Sequence, residues 1–394
     1  MRNLKARTGS IKEEGGVQKW VWQFLAVWIL LLIWGVLSTE LLPVVPNRAP
    51  RSSHLTIESF APGWAPGSLG DRVFSPWLRW DTLWYLQIAR DGYQADQASV
   101  AFPPLYPLAA RLAGGLLGEN YLIGGLLVSW MSCFGACRLL AERAVSRGMD
   151  AGKVIRLMLF FPTAFFLFAG YTESLFLLLV LLAWREAESG RWWWVGLVGG
   201  AAVLTRFIGV LLVIPLGVIW LDQFRAKHHK IFSILWFLPM PLAYFGWFWL
   251  ANTLFGTDPS KALHLSWAQH FDLPWVGLLG SLSAIFTQPL SEVLFAYVDI
   301  LAIAIAWASG FWLLLKRKWP EGLFVLAFVV ISLVKVTDKG MLGSSARFIV
   351  PLFPIFLYQP EWMGHPVWSR VVLYGSVLLW LFSAAMFFTW NWIG

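Results

Sequence analysis

Long apolar runs broken by short polar segments set the pattern of this chain. Val21 to Val45, Tyr121 to Leu140, Ile231 to Phe255, Ser291 to Leu315 and Val371 to Trp390 are predominantly hydrophobic. Each has the roughly twenty or more residues that a membrane-crossing helix needs. Three further pairs of runs read as hairpins. LMLFFPTAFFLF and SLFLLLVLLAW flank the tip AGYTES; WWWVGLVGGAAVL and IGVLLVIPLGVIWL flank TRF; Gly322 to Val334 and Phe348 to Tyr358 flank KVTDKGMLGSSAR. Their arms fall short of a full span, which places their tips within the outer half of the membrane. The pattern predicts an all-α polytopic membrane protein of about eleven membrane helices, folded as one membrane-embedded domain over residues 1–394.

Lys and Arg orient it. Arg2, Lys5, Arg7, Lys12 and Lys19 precede the first run, so residues 1–20 are expected as a cytoplasmic tail leading into an uncleaved anchor helix. Arg143, Arg147, Lys153 and Arg156, then Arg185 and Arg191, then Arg225, Lys227 and Lys230, then Lys316 to Lys318 mark the later cytoplasmic loops. Residues 43–120 then form a long non-cytoplasmic loop, and the C-terminus ends outside. The compact length and short loops lean toward a prokaryotic plasma membrane over the endoplasmic reticulum of a eukaryote.

Composition supports this reading. Of 394 residues 58% are hydrophobic and only 13% charged, with a mean hydropathy of +0.64; a soluble domain carries about twice that charge. The net charge of +8 is scattered between apolar runs and makes no aromatic-interleaved basic patch, which argues against nucleic acid as a partner. Cys133 and Cys137, four apart on one apolar face, read as packing residues.

Against this background RWDTLWYLQIARDGYQ, residues 79–94, is dense in charge. Ser75-Pro76 reads as a helix start. Trp77, Trp80, Trp84 and Ile88 follow at helical spacing, with Asp81, Tyr85 and Gly92 toward one flank. That pattern predicts an interfacial helix lying in the membrane plane and presenting Asp81 at the lipid–water boundary. A simple ion pair of Asp81 with Arg79 or Arg90 is the blander reading. Asp91, in RDGY, reads as part of a helix-ending turn at Gly92.

RWDTLWYLQIARDGY, AFPPLYPLAARL, FFPTAFFLFAGYTESLFLLLVLLAW and RWWWVGLVGGAAVLTRFIGVLLVIPL, in this order, resemble the PIG-V type of mannosyltransferase, a branch of the membrane-embedded GT-C glycosyltransferases. The likeness is good over Ser75 to about Leu221 and weaker beyond, where SARFIVPLFPIF is again similar. The resemblance implies a GT-C-like fold, a long first outer loop carrying interfacial helices, and transfer of a sugar, typically mannose, from a polyprenyl-phosphate carrier on the non-cytoplasmic side. It implies Asp81 as the catalytic carboxylate of that loop. Trp80 and Thr82 flank Asp81 where many GT-C enzymes carry a second acidic residue, so no cofactor is required, and a divalent metal, though chemically possible, has no support in the sequence.

Such a reaction needs one carboxylate to take the acceptor hydroxyl proton, which makes Asp81 the base and the transfer inverting, and cations to hold the departing phosphate. Arg206, in LTRFIG, is placed between two apolar arms, where a charge is usually functional. Phosphate capture and an ion pair with Glu173 are equal readings of it. Glu173 has two readings, substrate contact and the cap of the helix beginning beside it. Lys335, Lys339 and Arg347 form a basic cluster in the last outer loop, suited to phosphate or to an anionic acceptor, or simply solvated. Tyr85 flanks Asp81, and Tyr106 is placed to stack on a sugar or to pack. His264 and His270 face outward as bystanders. The acceptor, whether glycolipid, glycan or protein, is not named by any loop. Rival readings are a multispan lipid or glycan transporter or flippase, and a polysaccharide ligase using a diphosphate carrier.

Overall fold

A computed structural model describes residues 2–45, 63–94, 98–343, 345–358 and 361–391. Parts of the loop expected on the outer side, 46–62 and 95–97, thus lie outside the described residues. The chain is helical almost throughout. Helix α1 (Arg2–Leu41) leads into α2 (Leu69–Phe74), α3 (Asp81–Asp91), α4 (Leu105–Leu116), α5 (Tyr121–Ser146) and α6 (Ala151–Leu159). Then come α7 (Glu173–Glu188), α8 (Trp192–Thr205), α9 (Val213–Arg225), α10 (Pro239–Phe255) and α11 (Pro259–Trp267). Strand β1 (Gln269–Phe271), α12 (Pro274–Thr287), α13 (Leu290–Leu315), α14 (Trp319–Val334), β2 (Lys335–Thr337), α15 (Ser345–Ile349), α16 (Pro354–Leu357) and α17 (Pro366–Phe388) complete it.

Six stretches are long and apolar enough to cross a membrane among the described residues: Lys19–Leu41, Tyr121–Ser146, Phe207–Arg225, Ile231–Phe255, Ala296–Leu315 and Pro366–Phe388. Three shorter apolar helices, Trp192–Thr205, Pro274–Thr287 and Trp319–Val334, accompany them. Trp22, Ile33, Trp249, Phe286 and Leu378 point large apolar side chains outward. In a chain with satisfied helical backbones that is the surface lipid would cover. The all-α polytopic architecture therefore holds. The arm Phe348 to Tyr358 is not a helix of its own, because Pro351 and Pro354 interrupt it between α15 and α16. The arm LMLFFPTAFFLF likewise divides into the end of α6 and a 3-10 turn, Ala164–Leu167, after Pro162.

Helix α7 carries a carboxylate near each end. Its first residue, Glu173, is fully buried among the charges described below, while Glu188 at its far end accepts two bonds from Arg143 at 2.6 and 2.8 Å. About 22 Å of helix separate the two. Val45 N–H donates to the Thr389 carbonyl at 3.0 Å, so the exits of α1 and α17 share one end of the bundle. Cys133 and Cys137 are buried and free in α5, as packing residues.

The segment around Asp81 departs from the sequence expectation. The helix does not begin at Ser75, whose hydroxyl bonds Asp71 instead; residues 75–77 form a 3-10 turn and α3 starts at Asp81. Nor does α3 lie exposed at an interface, since eight of its residues are buried. The apolar face counted as lipid-facing packs on protein: Trp77 meets Phe388, Trp80 meets Trp390, and Trp84 meets Trp267 and Phe102. Gly92, at φ 81, ends the helix by donating to the Ile88 carbonyl, the turn read from RDGY.

Candidate active site

Asp81 is placed by three local facts. It is the first residue of α3, its own N–H donates to the Tyr171 hydroxyl at 3.1 Å, and Trp80 before it holds φ 51. A bulky residue with positive φ is strained and persists only where its surroundings over-determine it. Here the Trp80–Trp390 contact and the Asp81–Tyr171 bond do so. Arg79 is not the partner of Asp81. It donates to the Phe388, Ser75 and Leu78 carbonyls and lies 5.0 Å from the Trp390 ring centre. Arg90 pairs with Asp91 at 2.8 Å, at the surface.

The partner of Asp81 comes from the far end of the chain. Arg347 Nη1 donates to Asp81 Oδ2 at 2.7 Å, and Arg347 Nε stands 3.0 Å from Glu173 Oε1. The second contact is an ion pair without hydrogen-bond alignment, since Nε has no hydrogen-bond acceptor among the described residues. Arg206 donates to that same Glu173 oxygen and, at 3.0 Å, to the Thr172 hydroxyl. The buried charges thus run in a row: Asp81, Arg347, Glu173, Arg206. Burying such ions is costly unless each is paired.

One aromatic ring spaces the cations. The Phe348 centroid lies 4.6 Å from Arg206 Cζ, 4.9 Å from Lys335 Nζ and 5.6 Å from Arg347 Cζ, all within cation–π range. Asp299, in α13, accepts the Ala346 N–H at 2.7 Å and so fixes the start of α15, which carries Arg347 and Phe348. Burial opposes the charge of Arg347, but Asp81 and Glu173 outweigh it and hold the guanidinium above its ordinary range. Lys335 is half-buried by surface, yet its ammonium stands in the interior. Burial first, then Arg347 and Arg206, pull it down from 10.5 to about 7. The Tyr85 hydroxyl is pushed well up by burial and by Asp81 and Glu173, so it remains a proton-bearing donor.

These groups face a cavity of about 210 Å³. Asp81, Tyr85, Arg206, Lys335 and Arg347 line it, and Phe102, Phe207, Trp267 and Phe348 give it aromatic walls. Three cations and a single carboxylate, set among aromatic rings and a few neutral polar groups, suit an anionic group carried on an apolar or ring-bearing molecule. Asp81 Oδ1 accepts no hydrogen bond among the described residues and is available to such a guest.

Asp81, Tyr85, Arg206, Glu173 and Arg347 are brought together as one cluster. The ion pair weighed for Arg206 and Glu173 is present. Two other candidates fall outside. Lys339 is exposed and does not line the cavity. Tyr106 is buried, bonding the Gly125 carbonyl and Ser129, a helix-packing role in place of sugar stacking. Sequence reasoning missed Phe348 and Asp299. The signal for Asp299 was a lone acid in the apolar run AYVDILAIAIAW, the kind of intramembrane charge that is functional by default.

Residues 47–219 match the family model for mannosyltransferase (PIG-V). This segment, a little under half of the chain, resembles the PIG-V family. Rat (Rattus norvegicus) GPI alpha-1,6-mannosyltransferase 2 is 32% identical over 165 residues, 39% of this chain and 33% of its own. The Cricetulus griseus protein of the same name is 33% identical over 147 residues, 34% of this chain and 30% of its own. The chain thus spans about a third of the length of these curated relatives. ArnT from Cupriavidus metallidurans, solved bound to undecaprenyl phosphate, superposes with a TM-score of 0.45 at 14% identity, covering 94% of this chain and 76% of that one. The PIG-V segment holds Asp81, Glu173 and Arg206, whereas Lys335, Arg347 and Phe348 lie beyond it.

Proposed function

We propose that the chain is an inverting membrane glycosyltransferase of GT-C type that moves a sugar, mannose on the family likeness, from a polyprenyl-phosphate carrier to an acceptor hydroxyl on the non-cytoplasmic face. The observation that carries this reading is the juxtaposition of Asp81 with Arg206, Lys335 and Arg347 around one aromatic-walled cavity. In it, the acceptor oxygen attacks the anomeric carbon from the face opposite the phosphate. Its proton passes to Asp81 as the new glycosidic bond forms. The bond from the anomeric carbon to the phosphate oxygen breaks, and the lipid phosphate leaves with that electron pair. Arg206 and Lys335 stand where cations would stabilise the departing charge in a water-poor site. Tyr85 supplies a neutral donor, and Arg347 orients the base. No step calls for a metal or a cofactor.

The test is transfer of radiolabelled mannose from polyprenyl-phosphate mannose to a membrane-lipid extract, by wild type and by Asp81→Asn. A labelled product with wild type, reduced by about 10²-fold or more in the variant, is the expected result. Full activity in a folded Asp81→Asn protein would remove Asp81 from the chemistry. Wild type inert with this donor, yet moving labelled lipid between leaflets, would favour the transporter reading.

A further inference from the structure

Outside the charge row, one side-chain group gathers around the two-stranded β1–β2 sheet at the cavity's edge. His264 comes from the last turns of α11, His270 from the middle of β1, and Asp338 from the residue after β2. Their ligand atoms all lie within 4.8 Å of one another. His270 Nδ1 is 3.1 Å and His264 Nδ1 3.9 Å from the same Asp338 oxygen, and the imidazole planes stand at 88°. We propose that His264, His270 and Asp338 bind a zinc-class divalent cation that clamps α11 to the antiparallel β1–β2 pair.

Bonds of about 2.0–2.2 Å in tetrahedral array separate ligand atoms by roughly 3.3 Å. The observed spacings straddle that value, so rotation of exposed side chains closes the site without moving backbone. The side chains are 56% exposed for His264, 40% for His270 and 53% for Asp338, so an ion can reach them. Two imidazoles and a carboxylate are a donor set suited to zinc, leaving a fourth position for water.

The backbone beneath is already tied. Ala268, in left-handed conformation at φ 50, donates its N–H to the His264 carbonyl and accepts the Asp338 N–H at 2.9 and 2.8 Å. The strands pair His270 with Val336. One residue therefore joins the segments carrying two ligands, and the sheet joins the third. Asp272 Oδ2 stands 4.0 Å from His270 Nε2, placed to orient the ring once Nδ1 is ligated. A lone His–Asp pair would need neither the second histidine nor this tie. The clamp acts on the strand pair that supplies Gln269, Phe271 and Lys335 to the cavity wall. Its role is to stiffen that wall, and it takes no part in the proposed transfer.

The site is tested on full-length protein lacking a histidine tag, in detergent, stripped with EDTA and titrated with Co(II), then with Zn(II). The expected result is one equivalent of Co(II) with visible absorption of a low-coordinate nitrogen–oxygen site, displaced by Zn(II), and a Zn(II)-dependent rise in melting temperature. His264→Ala and Asp338→Asn should lose both effects while melting unchanged without metal, because both residues are exposed. Wild type binding no more Co(II) than a His264→Ala/His270→Ala/Asp338→Asn chain would overturn the site. Stoichiometric binding with an unmoved melting temperature would overturn the clamp. Neither readout depends on transferase activity.

Discussion

Arg347 reaches Asp81 at 2.7 Å across 266 residues of sequence. The pair joins the PIG-V segment to the part of the chain beyond it, so the cavity exists only when both are folded together. Each side chain is about 10% exposed, so the pair is little screened by water. Removing one partner of a buried ion pair leaves the other uncompensated, at about 3–5 kcal/mol. Arg347→Ala should therefore lower the thermal stability of the purified protein sharply. In an Asp81→Asn background the same change should cost much less, because no buried anion remains on that side. A melting-temperature double-mutant cycle reads the difference, and strict additivity would mean the contact does not couple the two residues.

In the proposed transfer, Lys335 should impose a pH dependence of definite direction. With its ammonium drawn down to about 7 by burial and by Arg347 and Arg206, it is charged below that pH and neutral above it. Holding the carrier phosphate requires the charged form. The kcat/KM for the lipid-linked donor should consequently fall as pH rises through about 7, toward roughly tenfold per pH unit. Lys335→Arg, whose charge does not titrate in this range, should flatten that limb. A wild-type profile still level at pH 9 would separate Lys335 from the phosphate.

Close backbone contact between α4 and α5 sets a second kind of requirement. A Cβ on Gly124 would stand 2.7 Å from the Gly114 Cα and 2.8 Å from the Ala110 carbonyl oxygen, both backbone atoms. Helix α4 also packs on α3, which carries Asp81. Gly124→Val should force the helices apart, costing about 1–3 kcal/mol as overpacking does, and lower transfer together with melting temperature. Gly217→Ala, in α9 with open space at the Cβ position, is the control and should leave both unchanged.

The sequence carried the apolar runs, the unusual charge of residues 79–94 and the buried charges Arg206 and Glu173, because each is a local anomaly in a hydrophobic chain. The hidden parts depend on contacts between distant segments. Nothing near Asp81 in sequence announces Arg347 as its partner, and Arg79 and Arg90, close by, turn out to serve carbonyls and Asp91. The tryptophan stripe of α3 was legible as an apolar face, but periodicity cannot tell a face against lipid from one against protein. Lys335 and Lys339 look alike in KVTDKG, and only the β1–β2 pairing turns the first inward and leaves the second in solvent. Asp299 was visible as a lone acid, but its purpose was not.

That purpose is to hold the start of α15. Asp299 Oδ1 accepts the Ala346 N–H at 2.7 Å, one residue before Arg347, and Asp299 is only 3% exposed. An amide at this position keeps an oxygen acceptor of the same reach, while a methyl group keeps none. Asp299→Asn should therefore retain most of the transfer rate, and Asp299→Ala should lose about tenfold or more through misplacement of Arg347 and Phe348. Measured kcat and donor KM for the two variants decide it, with the loss in kcat. Equal losses in both would show that the negative charge itself matters, and unchanged kinetics in the alanine variant would show that α15 holds its place without this bond.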